Sequence, residues 1–228
     1  MIKRIARTAG FSGLLAALLL TLLQSFWVAP LILQAETYES SAPVTEHHDH
    51  EAAAAHSHDS EAWSPEDGWQ RIVATAGGNL VVAVGFALIL AALYSLCEPN
   101  RVLSGGWWGL AGFAVFCLAP TLGLPPELPG TAAADLGQRQ AWWIGTAAAT
   151  AVGLALLVFA RHWLLKVLGA VLLVLPHIVG APQPEHHSSL APAELETQFK
   201  IASWLTNAAF WVALGVLSAW LYRRANPA

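Results

Sequence analysis

The chain has 228 residues, of which 56% are hydrophobic and only 11% charged, with a formal net charge of −4. No ordinary soluble domain is so apolar and so poor in charge. Two cysteines are too few for a disulfide framework, and no nucleic-acid partner is expected.

The apolar residues fall into six blocks: Ala9–Leu33, Ile72–Leu96, Gly105–Leu124, Ala141–Ala160, Trp163–Ala181 and Ile201–Leu221. Each is close to the roughly 20 residues that a helix needs to cross about 30 Å of hydrocarbon. No segment has the alternating polarity of a membrane β-barrel strand. In lipid every backbone polar group must be bonded internally, which leaves helices. The expected fold is all-α: a polytopic membrane bundle of six transmembrane helices, or five if the weakest block does not cross. Residues 1–33 form a basic start and the first helix, 34–71 an outer loop, and 72–228 a five-helix core.

Block one follows the basic pair Lys3-Arg4, which could open a signal peptide. It runs to about 25 apolar residues, longer than a signal core, and no small-x-small cleavage site follows, so it reads as a retained helix. Gln24 lies past its middle.

The loop from Gln34 to Arg71 is rich in Glu, Asp, Ser, Ala and His, lacks hydrophobic periodicity and is expected to be disordered for much of its length. It holds five of the nine histidines of the chain, as His47-His48-Asp49-His50 and His56-Ser57-His58-Asp59. Neutral imidazole ligates zinc, copper, nickel and cobalt, and carboxylate completes mixed sites. Five His and two Asp within residues 47 to 59 favour metal capture over a solvated acidic linker. The run imposes no fixed geometry, so it is a low-selectivity collector.

Block two carries Asn79 near its outer end and Cys97 at its inner end. Block three carries Cys117 and ends in Pro120-Thr121-Leu122-Gly123-Leu124-Pro125-Pro126-Glu127. Block five, the weakest, holds Lys166 and His177 and ends in Pro176-His177-Ile178-Val179-Gly180-Ala181-Pro182. Proline removes a backbone donor and clashes with the preceding turn. Pro120 and Pro176 should therefore free carbonyls near the outer surface, where unwound backbone can coordinate cations if it lines a cavity. His177 is the only histidine inside a predicted span. The following loop adds His186-His187 beside Glu185, and block six carries Asn207 in its outer third. Gln24, Asn79, His177 and Asn207 could line an outward-facing vestibule. Interhelical hydrogen bonding accounts for the three amides equally well.

Lysine and arginine set the orientation. With the N-terminus inside and six spans, eight lie on the cytoplasmic side, and only Arg71, Arg139 and Lys200 lie outside. Five spans would put Arg223 and Arg224 outside, against the rule. Trp107-Trp108, Trp142-Trp143 and Trp163 open their helices, and Trp204 and Trp220 sit near the ends of the last, as interfacial anchors.

The sequence resembles the predicted cobalt transporter subunit CbtA family along nearly its whole length. The matching stretches are the first helix running into Gln34-Ala35-Glu36-Thr37-Tyr38-Glu39, then Pro125-Pro126-Glu127-Leu128-Pro129-Gly130, Arg139-Gln140 with Trp142-Trp143, Pro176-His177 with Gly180-Ala181-Pro182, and Leu205-Thr206-Asn207. The resemblance implies cobalt uptake across the bacterial inner membrane, tied to cobalamin synthesis, with a small single-span, histidine-bearing partner, CbtB. The family is usually described with five spans, whereas the charges here favour six. No P-loop, Ser-His-Asp arrangement or HExxH is present, so the expectation is a permease and not an enzyme. No cofactor is bound permanently, and Co²⁺ is the expected cargo. Two alternatives stay open: a metal-binding or sensory subunit that does not conduct, and a transporter for nickel or zinc.

Overall fold

The structure, a computed structural model, describes residues 1–41, 65–97 and 104–225. Among these are six helices: α1 (Ile2–Ser41), α2 (Trp69–Leu96), α3 (Ser104–Gly123), α4 (Leu136–Phe159), α5 (Trp163–Val179) and α6 (Ala193–Arg224). All but α5 are long and apolar enough to cross a bilayer. The 17 residues of α5 span about 26 Å at 1.5 Å per residue, at the short limit for a crossing.

Several helices outrun their apolar blocks. With 40 residues, α1 reaches about 60 Å, twice the hydrocarbon thickness. It continues eight residues past Leu33, so Gln34–Ser41 is helix and not loop. The expectation of a disordered stretch from Gln34 is corrected there. The reason is tertiary support: Ala35 is fully buried against a cluster containing Val28, Leu128, Leu195 and Phe199. The rest of that loop, with both histidine runs, lies outside the described residues.

The hub is α6, which touches α1, α2 and α3. Leu214 and Ala219 are fully buried on it, and Phe210, Trp211 and Tyr222 nearly so. Acids Glu194 and Glu196 open α6, and Arg223 and Arg224 close it, each matching the helix dipole. Small residues let backbones approach where no hydrophobic drive separates helix from lipid. Ala9, Ala16 and Ala17 of α1 are buried in one cluster with Ala83, Ala87 and Ala91 of α2. Gly105 and Gly109 of α3 meet α6 at backbone level. A methyl on Gly105 would fall 2.3 Å from the Gly215 carbonyl oxygen, and one on Gly109 would fall 2.2 Å from that of Trp211. Where helices stand farther apart, rings fill the gap. Phe86 lies 4.8 Å from Phe116 and 4.5 Å from Trp211, and Phe116 stacks on Trp211 at 5.6 Å.

The prolines do not break their helices. Five-residue π turns, Gln24–Val28 and Ala114–Leu118, stand directly before Ala29-Pro30 and Ala119-Pro120. Each carries a phenylalanine four residues before its proline, Phe26 and Phe116. The widened turn accommodates a residue that cannot donate and that crowds the preceding turn. Helix α3 then runs on to Gly123. Pro176 sits inside α5, which continues to Val179 and stops at Gly180 (φ 84°), a left-handed value that glycine accepts. The expected unwinding at Pro120 and Pro176 is thus corrected to continuous helix.

Only residues 160–162 separate α4 from α5, so the two form an antiparallel hairpin. Its open end lies beside the end of α3 and the start of α6. There the 124–135 and 180–192 loops join through a Thr131–Ser189 bridge and a bond from Ala132 N–H to the Ser188 carbonyl of 2.9 Å. At the opposite face Arg4 Nε donates to the Tyr222 carbonyl at 2.8 Å, and its guanidinium lies over the Tyr222 ring. The start of α1 and the end of α6 therefore share one face.

Replacing Gly109 with alanine should cost about 1–3 kcal/mol through overpacking, read as a lower unfolding temperature in detergent. Gly77→Ala, whose methyl meets nothing within 4 Å, should be neutral or slightly stabilising.

Candidate functional site

The two joined loops and the start of α6 border a cavity of about 330 Å³ at the end of the bundle opposite the termini. Glu127, Arg139, His187, Glu196 and Lys200 line it, with Gly123 on its wall. The charges are paired. Arg139 Nη2 lies 2.9 Å from Glu127 Oε2, and Lys200 Nζ lies 3.3 Å from Glu196 Oε2. Asp135 caps α4 by accepting from Gln138 N–H at 3.0 Å, which fixes the helix turn that presents Arg139. Arg71, the third cation expected outside, forks onto Glu36 and reaches Asp67 at 2.7 Å, clamping α1 to α2. All three basic residues that the charge count leaves outside thus bond to carboxylates. That is the signal by which Glu127 and Glu196 could have been found: a cation isolated on an acidic face has a partner.

Of the predicted outer pair, His187 lines the cavity, while the exposed His186 is not on its wall. The cavity offers imidazole, carboxylate, hydroxyl from Ser188 and Ser189, and amide oxygen from Gln183. Such a mixed set suits a divalent cation that keeps part of its water. Among the described residues, no three His, Cys, Asp or Glu side chains converge closely enough to hold a metal ion.

Gly123 connects this cavity to the bundle. A methyl there would fall 2.3 Å from the Trp142 ring and 2.9 Å from Ala181 Cβ, so the indole sits where a larger side chain would stand. Trp142 also meets His177. The two ring centroids lie 6.2 Å apart at 69°, edge to face. His177 is exposed, and its side chain makes no hydrogen bond to a described residue, so it does not tie α5 to a neighbouring helix. Pro176, one residue before it, leaves the Leu172 carbonyl without its usual helical donor.

The predicted pathway amides divide differently. Asn79 Nδ2 donates to Gln24 Oε1 at 2.7 Å and to Thr21 Oγ1 at 3.0 Å, joining α2 to α1 at the start of the π turn. Thr21 is the partner that sequence reasoning missed; it lies three residues before Gln24, on the same helix face. Asn207 Nδ2 instead donates to the Ser203 carbonyl of its own helix at 2.8 Å. No hydrogen bond or ring contact between described residues joins either group to His177. Pro120 stands at the outer end of α3, three residues before Gly123. His47, His48, Asp49, His50, His56, His58 and Asp59 lie outside the described residues.

No curated protein and no solved structure matches this chain. A family model does, over residues 2–223, and it describes a probable cobalt transporter subunit. That span takes in all six helices but for the last residue of α6, the charge-paired cavity and the Trp142–His177 contact beside it, and the chain belongs to this family, CbtA.

Proposed function

We propose that this chain admits Co²⁺ through the inner membrane, with both termini in the cytoplasm and the paired cavity facing outward. The observation that carries this reading is the cavity of acids and imidazole set directly above Trp142 and His177. Loop histidines 47, 48, 50, 56 and 58, with Asp49 and Asp59, gather the ion. His187 and the cavity carboxylates receive it, and His177 takes it into the bundle. An inside-negative potential assists by about 2.3 kcal/mol per charge per 100 mV, twice that for a divalent ion. A small single-span subunit with its own histidines, CbtB, is the expected partner, and cobalamin synthesis the destination. Flux of radiolabelled cobalt into liposomes holding the purified chain, with and without that partner, tests the proposal. Binding without flux in both conditions would make this a delivery or sensory subunit instead.

Orientation is tested by single cysteines in a background lacking Cys97 and Cys117. Ser188→Cys should react with an impermeant reagent in intact cells and Ala225→Cys should not. Reaction at 225 would reverse the sidedness.

Deleting residues 46–59 should raise the cobalt concentration needed for half-maximal uptake several-fold and leave the maximal rate unchanged, since a tethered collector acts through local concentration. Collection should fade below about pH 6.5, where imidazole takes a proton in place of metal. Loss of uptake at saturating cobalt, with normal protein abundance, would count against a collector.

His177→Ala should abolish uptake at every cobalt concentration while leaving abundance intact. His177→Gln keeps hydrogen bonding but is a poor transition-metal ligand, and should fail as well. Normal transport by the Gln variant would make His177 structural.

A further inference from the structure

We propose that the ion descends from the outer cavity along the interface that α4 shares with α5 and the end of α3, over a row formed by Trp142, Thr146 and Thr150. This route rests on the transport reading above and specifies its path. Among the described residues six buried side-chain polar atoms have no hydrogen-bond partner, and three of them stand in one row on α4: Trp142 Nε1, Thr146 Oγ1 and Thr150 Oγ1; the other three, on Thr8, Trp204 and Thr206, are scattered over α1 and α6. Thr146 is 1% exposed and Thr150 3%. Their spacing of four residues puts all three on one helix face.

Contacts at both ends show what that face looks toward. Trp142 touches His177 of α5 and the Gly123 position of α3. Three residues after Thr150, Gly153 meets α5, where an added methyl would fall 2.8 Å from the Gly169 carbonyl oxygen and 3.1 Å from the Leu173 side chain. The row therefore starts under the cavity wall and ends where two glycine backbones touch.

A buried hydroxyl without a partner is costly, and in a membrane interior no bulk water relieves it. Valine would fill the same space without that cost. Polar groups kept there at intervals of one turn fit a file of water and hydrated ion that completes their hydrogen bonds in use. The chemistry of each group agrees. Threonine oxygens can ligate a divalent cation or its waters, whereas the indole N–H only donates and so holds a water oxygen. The α1–α2 cluster makes the contrast, because Asn79 already spends its amide donors on Thr21 and Gln24.

The test uses the full chain in liposomes, with cobalt as the probe. The double variant Thr146→Val/Thr150→Val should lose at least tenfold in cobalt flux while its unfolding temperature holds or rises. Thr146→Ser/Thr150→Ser should keep the flux. A second readout needs no flux: Thr150→Cys, without Cys97 and Cys117, should react with a small water-soluble thiol reagent added outside, and cobalt should slow the reaction. Valine variants that conduct like the parent overturn the route and leave the transport reading standing. A parent chain that passes no cobalt, with or without partner, overturns the transport reading, and this route with it. An unreactive cysteine at 150 overturns the route even if the valine variants fail to fold.

Discussion

Backbone contact between α3 and α6 sets the spacing on which the bundle depends. Gly105 and Gly109 let α3 approach until each glycine lies against a carbonyl of α6. Held that close, α6 becomes the hub that α1 and α2 also touch. Lipid tails are as apolar as leucine, so helix association here rests on close fit, and a helix without side chains at the contact gives the closest fit. The wider gaps that follow on the other side of α3 are filled by Phe86, Phe116, Trp108 and Trp143, which link α3 to α2 and α4 across ring contacts.

That arrangement leaves the α4–α5 hairpin less enclosed than the rest. One end is tied by a three-residue turn and the other leans on α3 at Gly123. Its helix α4 carries three of the six buried side-chain polar atoms that lack a partner among the described residues; the others are Thr8 on α1 and Trp204 and Thr206 on α6. Between α1 and α2, by contrast, Asn79 bonds both Thr21 and Gln24.

The face that bears the cavity is braced by charge. Arg71 holds α1 to α2, and Arg139 holds the start of α4 to the loop after α3. These pairs are partly exposed, so their contribution to stability is small. Their larger effect is on position, since they fix which carboxylates border the cavity and leave His187 as its imidazole.

Hydrophobic block length was enough to give the helix number, because a bilayer imposes one length and one backbone conformation on any segment that crosses it. It could not give helix ends: α1 outruns its apolar block because Ala35, Leu128 and Phe199 support it outside the hydrocarbon. Position marked His177, the only histidine inside an apolar block, and His187, paired with His186 beside Glu185. Whether Gln24 and Asn79 meet each other or a substrate is a matter of helix rotation, which hydropathy does not encode. The Glu127–Arg139 pair, the seat of Trp142 over Gly123 and the solitary hydroxyls of Thr146 and Thr150 arise from helix packing alone. Sequence spacing fixes which residues of one helix share a face, but only contact with another helix decides whether a polar group on that face finds a partner.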